Sequence, residues 1–219
     1  MSPRRAKAIA DHLGENPAAA LHEHLVEVAR RLLGSSTISR MTTREIARSA
    51  GVSEGVLYNY FGDKADLILA GVRRHYDGLV ARFEAQLPIA GNGTVEGNLT
   101  TIASAAQEMH AELMPILAGL LNEPALLHRF IDEVHDGPIM PMTKVRAYLA
   151  EEQELGRVSA AIDPGAATAA LMGSSLMFAL GRHLMPNGPG PLGGQRLPEI
   201  VTALMNGLRP EGDRPEQPA

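Results

Sequence analysis

The sequence contains no cysteine. Disulfide staples, thiol nucleophiles and thiolate metal sites are therefore excluded. Tryptophan is also absent and aromatic residues make up only 4% of the chain, so any core must be built from aliphatic side chains and methionine. Uninterrupted apolar runs are short, below the eighteen or so residues that a membrane span needs. The basic start from Met1 to Lys7 is not followed by the apolar stretch of a signal peptide. A cytoplasmic location with no membrane partner is the expectation.

Recognisable catalytic patterns are missing too. The sequence has no Gly-rich phosphate loop and no nucleophile motif. His22 and His24 are two apart and diverge on a helix, so they cannot share a metal. His128 and His135, with Asp132 between them, lie along one helical face and make the best metal or acid–base cluster on offer. Surface histidines beside acids are usually solvated. No catalytic residue, metal or cofactor is expected, and the protein is not read as an enzyme.

The 219 residues suffice for a small module plus a domain with its own core. Hydrophobic residues are 45% of the chain and charged ones 21%, proportions under which most of it should fold. The formal charge is −5 but unevenly spread: residues 1–75 carry eleven Lys/Arg against eight Asp/Glu, and the remainder is acidic. That asymmetry suggests two parts with different partners.

Helical periodicity runs throughout, and no strand-like alternation is evident. From Ala18, apolar residues at Leu21, Leu25, Val28, Ala29 and Leu32 share one face, and Gly34 is a suitable stop. Thr42 and Glu45 have capping-box spacing for a second, short helix that Gly51 ends. Ser53 should cap a third helix through Tyr60, and Asp63 a fourth that continues through Leu67 and Phe83 to Pro88. After the Gly91–Thr94 loop, helices are expected at about 94–111, 113–122, 124–136, 141–156, 164–185 and 197–208. Pro115, Pro124, Pro141 and Pro164 each stand where a helix would begin.

The stretch Met41–Leu67 carries the function. Ile46, Ala47, Val52, Val56, Leu57 and Phe61 can form a compact core for two short crossed helices, with small Ala47 allowing close approach and Gly51 making the turn. This pattern is a helix-turn-helix, whose second helix can enter the major groove. Thr42 or Thr43 can offer hydroxyl and backbone N–H groups to a phosphate, and Arg44 can reach a guanine edge. Ser53, Glu54, Gly55, Val56 and Asn59 are candidates for base edges, Val56 being either a thymine-methyl contact or part of the core. Tyr58 and Lys64 are placed for the DNA backbone. Tyr60 stays among the DNA-side candidates, although Tyr60 and Phe61 both read more naturally as core. Glu54 is unfavourable near phosphates unless it accepts from a cytosine amino group or points sideways.

Thr43, Ile46, Ala47, Ala50, Gly51, Val52, Leu57, Tyr58, Tyr60, Phe61, Lys64 and Leu67 closely resemble the TetR family of transcriptional repressors, with the close match covering about residues 18–70. The resemblance implies an all-α protein: an N-terminal three-helix helix-turn-helix domain joined by a long helix to a larger helical domain for ligand binding and dimerisation. It implies a homodimer on a palindromic operator of double-stranded DNA, released by a small, apolar molecule. The expected division is a flexible arm at 1–17, the DNA-binding domain at 18–66, the ligand-binding and dimerisation domain at 67–208 and a disordered tail at 209–219. The alternative is a helix-turn-helix protein with no small-molecule ligand, acting architecturally or through a protein partner.

In the larger domain, methionines suggest an adaptable apolar pocket. Its candidate lining is Met109, Leu113, Met114, Leu117, Leu121, Met140, Met142, Tyr148, Met172 and Phe178; ordinary core packing is the competing explanation. Ala166, Ala170, Gly173, Ser174 and Gly181 set small residues in rows on one helix. With Met177, Ile200 and Leu204 they are the candidate dimer interface, since the resemblance implies a bundle of the last two helices from each copy. The intervening 186–196 segment is unusually full of Pro and Gly.

Overall fold

A computed structural model describes residues 16–33, 38–133, 140–185 and 197–208. The elements are α1 (Pro17–Leu33), a 3-10 turn (Ile38–Arg40), α2 (Thr43–Ala50), α3 (Glu54–Leu57), α4 (Lys64–Glu84), α5 (Val95–Leu121), α6 (Pro124–Glu133), α7 (Met140–Glu154), α8 (Pro164–Leu184) and α9 (Leu197–Leu208). Among the described residues there is no strand. The expected all-α class is observed. The arm before residue 16, the 186–196 loop, His135 and the 209–219 tail lie outside the described residues.

The chain forms two compact units, Met1–Gly78 with Pro115–His135, and Leu79–Met114 with Asp136–Ala219. This division differs from the expected boundary after residue 66, for a packing reason. The first half of α4 buries Leu67, Ile68, Leu69 and Val72. Gly71 lets α4 approach α1 so closely that a Cβ there would lie 2.9 Å from the Ala29 Cβ. These residues complete the small unit's core. In its α1, Leu21, Leu25, Val28 and Ala29 are buried as expected, whereas Leu32 is half-buried and Val26 and Leu33 are buried instead.

Two expected helices, 94–111 and 113–122, are one: α5 runs unbroken with Pro115 inside it. An interior proline forfeits a hydrogen bond and costs about 3 kcal/mol, so tertiary packing must offset it. Ile116 and Leu120, just beyond the proline, are buried, and the passage from one unit to the other falls at this residue. Pro164 is where proline is well tolerated, in the first turn of α8, with Asp163 capping the helix by accepting the Ala166 N–H at 2.6 Å.

In the second unit, Leu79, Phe83, Leu99, Ile102, Ala106, Leu149, Leu171 and Val201 lie in one continuous core. By length and composition alone α8 could cross a bilayer, with a mean hydropathy of 1.2. One face packs Ala167, Leu171, Met172, Phe178 and Ala179 into the unit, while the opposite face is open and also largely apolar. At the end of α7, the fully buried Glu152 accepts the Tyr148 hydroxyl at 2.8 Å and the Gly91 N–H at 3.3 Å. Its other oxygen lies 3.2 Å from Arg157 Nε, an ion-pair separation without a well-aimed hydrogen bond. Arg157 also donates to the Gly93 carbonyl at 2.7 Å.

Candidate nucleic-acid interface

The α2–turn–α3 segment is built by local rules. Thr42, in an extended conformation before α2, accepts the Glu45 N–H at 3.1 Å. Among the described residues the Glu45 carboxylate returns no such bond, so only half of the expected capping box forms. Gly51 adopts φ 71°, where a side chain would be strained. Its N–H bonds the Arg48 carbonyl at 3.2 Å while the Val52 N–H bonds Ala47 at 2.9 Å. That paired closure turns the chain sharply and seats Val52 in the core.

The third helix is shorter than expected. Regular α-helix ends at Leu57, and single-turn bonds carry the chain on, Asn59 N–H to Val56 at 3.2 Å and Tyr60 N–H to Leu57 at 3.0 Å. Ser53 makes no side-chain cap. A complete capping box forms one helix later: Asp63 accepts the Asp66 N–H at 2.8 Å and Asp66 accepts the Asp63 N–H at 3.1 Å, opening α4 at Lys64.

Ile46, Ala47, Val52, Leu57 and Phe61 are buried, as their spacing suggested. Val56 is only half-buried and thus turns partly to the surface. The Phe61 ring stacks on His22 of α1, centroids 4.9 Å apart, and Tyr60 is half-buried with its ring 6.4 Å from the same histidine. Of the DNA-side candidates, Thr42, Arg44, Glu54, Gly55, Tyr58 and Asn59 are exposed, and Thr43, Ser53, Val56, Tyr60 and Lys64 half-buried. Tyr58 is 56% exposed, unusual for an aromatic side chain in so small a module. Every candidate is thus accessible in part.

Two polar arrangements were not foreseen. The Thr43 hydroxyl donates to the Glu54 carboxylate at 2.9 Å. This contact holds the acid sideways against the preceding helix, one of the two ways it could be tolerated near phosphates. Arg129 of α6 pairs closely with Asp66 and lies 3.6 Å from Asp63. The guanidinium beside Asp66 holds its carboxyl below the usual carboxylate range. A cleft of about 380 Å³ opens there, lined by Ile38, Asp63, Lys64, Ile68, Leu126 and Arg129 among others. No spacing rule links positions 63 residues apart. The capping box, by contrast, was half visible in the Asp63 assignment.

Six of the ten expected ligand-pocket residues lie in or against the second unit's core. Met109, Tyr148, Met172 and Phe178 are buried in the second unit's core, with Leu113 and Met142 packed partly against it. Met114 is buried and Met140 half-buried. Leu117 and Leu121 belong to the first unit, and Leu121 is 61% exposed. The free volume beside Met109 is about 20 Å³, and the cleft beside Met142, shared with Thr143, Arg146, Gly165 and Thr168, is about 270 Å³. Flexible thioethers fill gaps when they pack against a core. One polar pair sits within that core. Ser175 donates its hydroxyl proton to the Met172 carbonyl at 2.8 Å, so it accepts from His110 Nδ1–H at 2.8 Å. Burial pushes the His110 pKa down to about 4.

The α8 residues expected at a dimer interface are mostly on the open face. Ala166, Ala170 and Gly173 are exposed, Met177 is 51% exposed, and Ser174 is half-buried. Gly181 is the exception: it is buried, because it falls on the core-facing side of the helix. Ile200 and Leu204 of α9 are half-buried against the core. Exposed Leu176 and Leu184 extend the apolar stripe on α8. The His128 and Asp132 side chains are exposed. Among the described residues no group of three His, Asp or Glu could hold a metal.

Residues 25–70 match the family described as bacterial regulatory proteins, tetR family. The chain is 43% identical over 49 residues to the HTH-type transcriptional regulator BetI of Rhizobium meliloti, covering 22% of this chain and 24% of that protein. It is 28% identical over 120 residues to the nucleoid occlusion factor SlmA of Shewanella frigidimarina, covering 52% of this chain and 57% of that one. The matches therefore span little more than half the length of the one curated relative and about a quarter of the other. In fold it is similar to the transcriptional regulator FadR from Bacillus subtilis in complex with stearoyl-CoA, with a TM-score of 0.62 and 16% identity, covering 86% of this chain and 100% of that structure.

Proposed function

Because the chain belongs to the TetR family of transcriptional regulators, we propose that it is a one-component repressor that binds a palindromic operator as a dimer and is released by a small, apolar ligand. The observation that carries the DNA-binding part is the sorting of the α2–α3 segment. Its apolar residues other than Val56 are buried, and every polar residue nominated for DNA remains accessible. Tyr58 and Lys64 would hold phosphates, Thr42 and Thr43 would present the start of α2, and Arg44, Val56 and Asn59 would reach base edges. A single module of this size reads too few bases for specificity. Two copies would read half-sites about one helical turn apart, and the exposed small-residue stripe of α8 is a suitable surface for pairing.

Ligand release draws on the fold neighbour named for its stearoyl-CoA complex and on the methionines of the second unit. A ligand would act by binding one spacing of the two recognition helices better than another. The 120-residue match to a nucleoid occlusion factor favours a second reading, a DNA-binding protein that acts architecturally or through a protein partner without a small-molecule ligand.

The test is fluorescence anisotropy of the purified protein on DNA from upstream of its own gene and its neighbours, across a salt series. Specific binding to a palindrome is expected. Lys64→Ala should weaken it on all sequences and reduce the salt slope by about 1, and Tyr58→Ala should weaken it with an unchanged fold. No preference over random DNA at low salt would remove the operator reading. A ligand that binds the protein and leaves operator affinity unchanged would remove the release mechanism and favour the second reading.

A further inference from the structure

We propose that Arg129, on a helix remote in sequence from the helix-turn-helix, sets DNA affinity by neutralising the two capping carboxylates beside Lys64. This rests on the DNA-binding reading above and adds a residue to it. Asp63, Lys64 and Asp66 open α4 within four consecutive positions, and by themselves they carry one negative charge in excess. Both carboxylates are fixed there by duty, since each accepts the other's backbone N–H. A phosphate approaching Lys64 would meet that excess.

Arg129 removes it. The guanidinium reaches both acids, one at close range through Nη2 and the other at 3.6 Å through Nη1. Asp63, Lys64 and Arg129 also line the same open cleft, so the cation sits beside the lysine whose field it corrects. With Arg129 these four groups balance, leaving Glu123 as the other acid that lines the cleft, and Lys64 at the first turn of α4 faces an anion against less opposing charge. Surface ion pairs contribute little to stability. Arg129 is a positioning residue by charge: its effect is on binding rather than on folding, and no contact with DNA is needed for it.

The experiment is anisotropy of the full-length protein on its operator duplex and on a random duplex at one low salt concentration, with thermal melts as the folding control. Arg129→Gln should weaken both duplexes alike, about three- to tenfold, because phosphate contacts carry no sequence information. Arg129→Lys should stay within about twofold of the wild type, since it keeps the charge. Asp66→Asn keeps an acceptor for the Asp63 N–H. It should tighten binding about three- to tenfold in the wild-type and Arg129→Gln backgrounds alike, so that the double variant returns close to wild-type affinity.

Equal affinities for Arg129→Gln and wild type would overturn the proposal. So would an Arg129→Gln/Asp66→Asn double variant that stays as weak as Arg129→Gln, which would mean that Arg129 does not act by offsetting the carboxylates. Should Arg129→Gln fail to fold, the Arg129→Gln/Asp66→Asn double variant, which removes a matched pair of charges, decides. Affinity near that of wild type supports the proposal, and a loss of about fivefold or more overturns it. A wild-type protein that binds neither duplex sinks the DNA-binding reading and this proposal together, whereas sound wild-type binding with no Arg129 dependence sinks the proposal alone.

Discussion

The two compact units place their informative residues on opposite sides of the solvent boundary. In the first unit the chemistry is outside: Arg44, Glu54, Tyr58 and Asn59 are exposed over a buried apolar core. In the second the unusual polar groups are inside: Glu152 and Ser175 are fully buried and His110 nearly so, while the exposed α8 face is Ala, Gly, Leu and Met except for Arg182 and His183 near its end. A surface built to meet a polyanion can keep its polar groups in water at no desolvation cost. A unit that offers an apolar face to solvent must find specificity elsewhere, and buried, satisfied polar pairs hold a core to one arrangement. Substitutions should therefore separate the units by what they damage, binding in the first and folding in the second.

The sharpest break should come at Arg157. Replacing it with alanine leaves the Glu152 carboxylate buried with only the Tyr148 hydroxyl and the Gly91 N–H for company. Removing one partner of a buried pair costs about 3 kcal/mol or more, and Arg157 is 26% exposed, which favours the lower end. Chemical denaturation should register the loss, and adding Glu152→Gln should recover most of it by removing the stranded charge. If Arg157→Ala unfolds at wild-type denaturant concentrations, the buried pair is not what secures the α7 end.

A somewhat smaller effect, spread over pH, should come from His110. Its folded pKa of about 4 lies below the ordinary imidazole value near 6.5, so between those values the unfolded chain binds the extra proton. Stability from this group is complete above the upper value and is lost as pH falls toward the lower one, by at most about 3 kcal/mol. Urea melts from pH 7 to pH 4 should show that decline. The His110→Gln variant should show a shallower one, and parallel curves for the two proteins would count against a neutral, buried His110.

The same contrast explains what was legible beforehand. The Thr42 and Asp63 caps, the Gly51 turn and the buried positions Ile46, Ala47, Leu57 and Phe61 follow from rules spanning four or five residues and stood out in the sequence. Even there local rules overreached: Ser53 makes no cap and Val56 is only half-buried, because a four-residue helix is shaped by what it packs against. The joined α5 was hidden for a related reason. Pro115 reads locally as a helix start, and only the burial of Ile116 and Leu120 beyond it offsets the lost bond. Arg129 with Asp66, and His110 with Ser175, join residues more than sixty positions apart. No periodicity marks such pairs, since each member alone is an ordinary polar residue on a helix. Leu117 and Leu121 shared an apolar segment with Leu113 and yet belong to the other unit, a separation that apolar spacing cannot report.

The mildest prediction concerns a feature wholly readable in sequence, the Thr42 cap. Thr42→Ala removes the acceptor for the Glu45 N–H, and because Thr42 is exposed, water can take over that donor in part. The cost should be about 1 kcal/mol, a third or less of the Arg157 effect. The variant is informative because the same hydroxyl is a candidate for a phosphate. If Thr42 serves only as a cap, Thr42→Asp should restore the melting temperature, since aspartate caps at least as well as threonine, and operator affinity should recover with it. If the hydroxyl also meets a phosphate, Thr42→Asp should restore stability while lowering affinity, because a carboxylate would then stand where a phosphate must come. Stability and affinity that move together in both variants would confine Thr42 to its structural role and leave the DNA backbone to Tyr58, Lys64 and the start of α4.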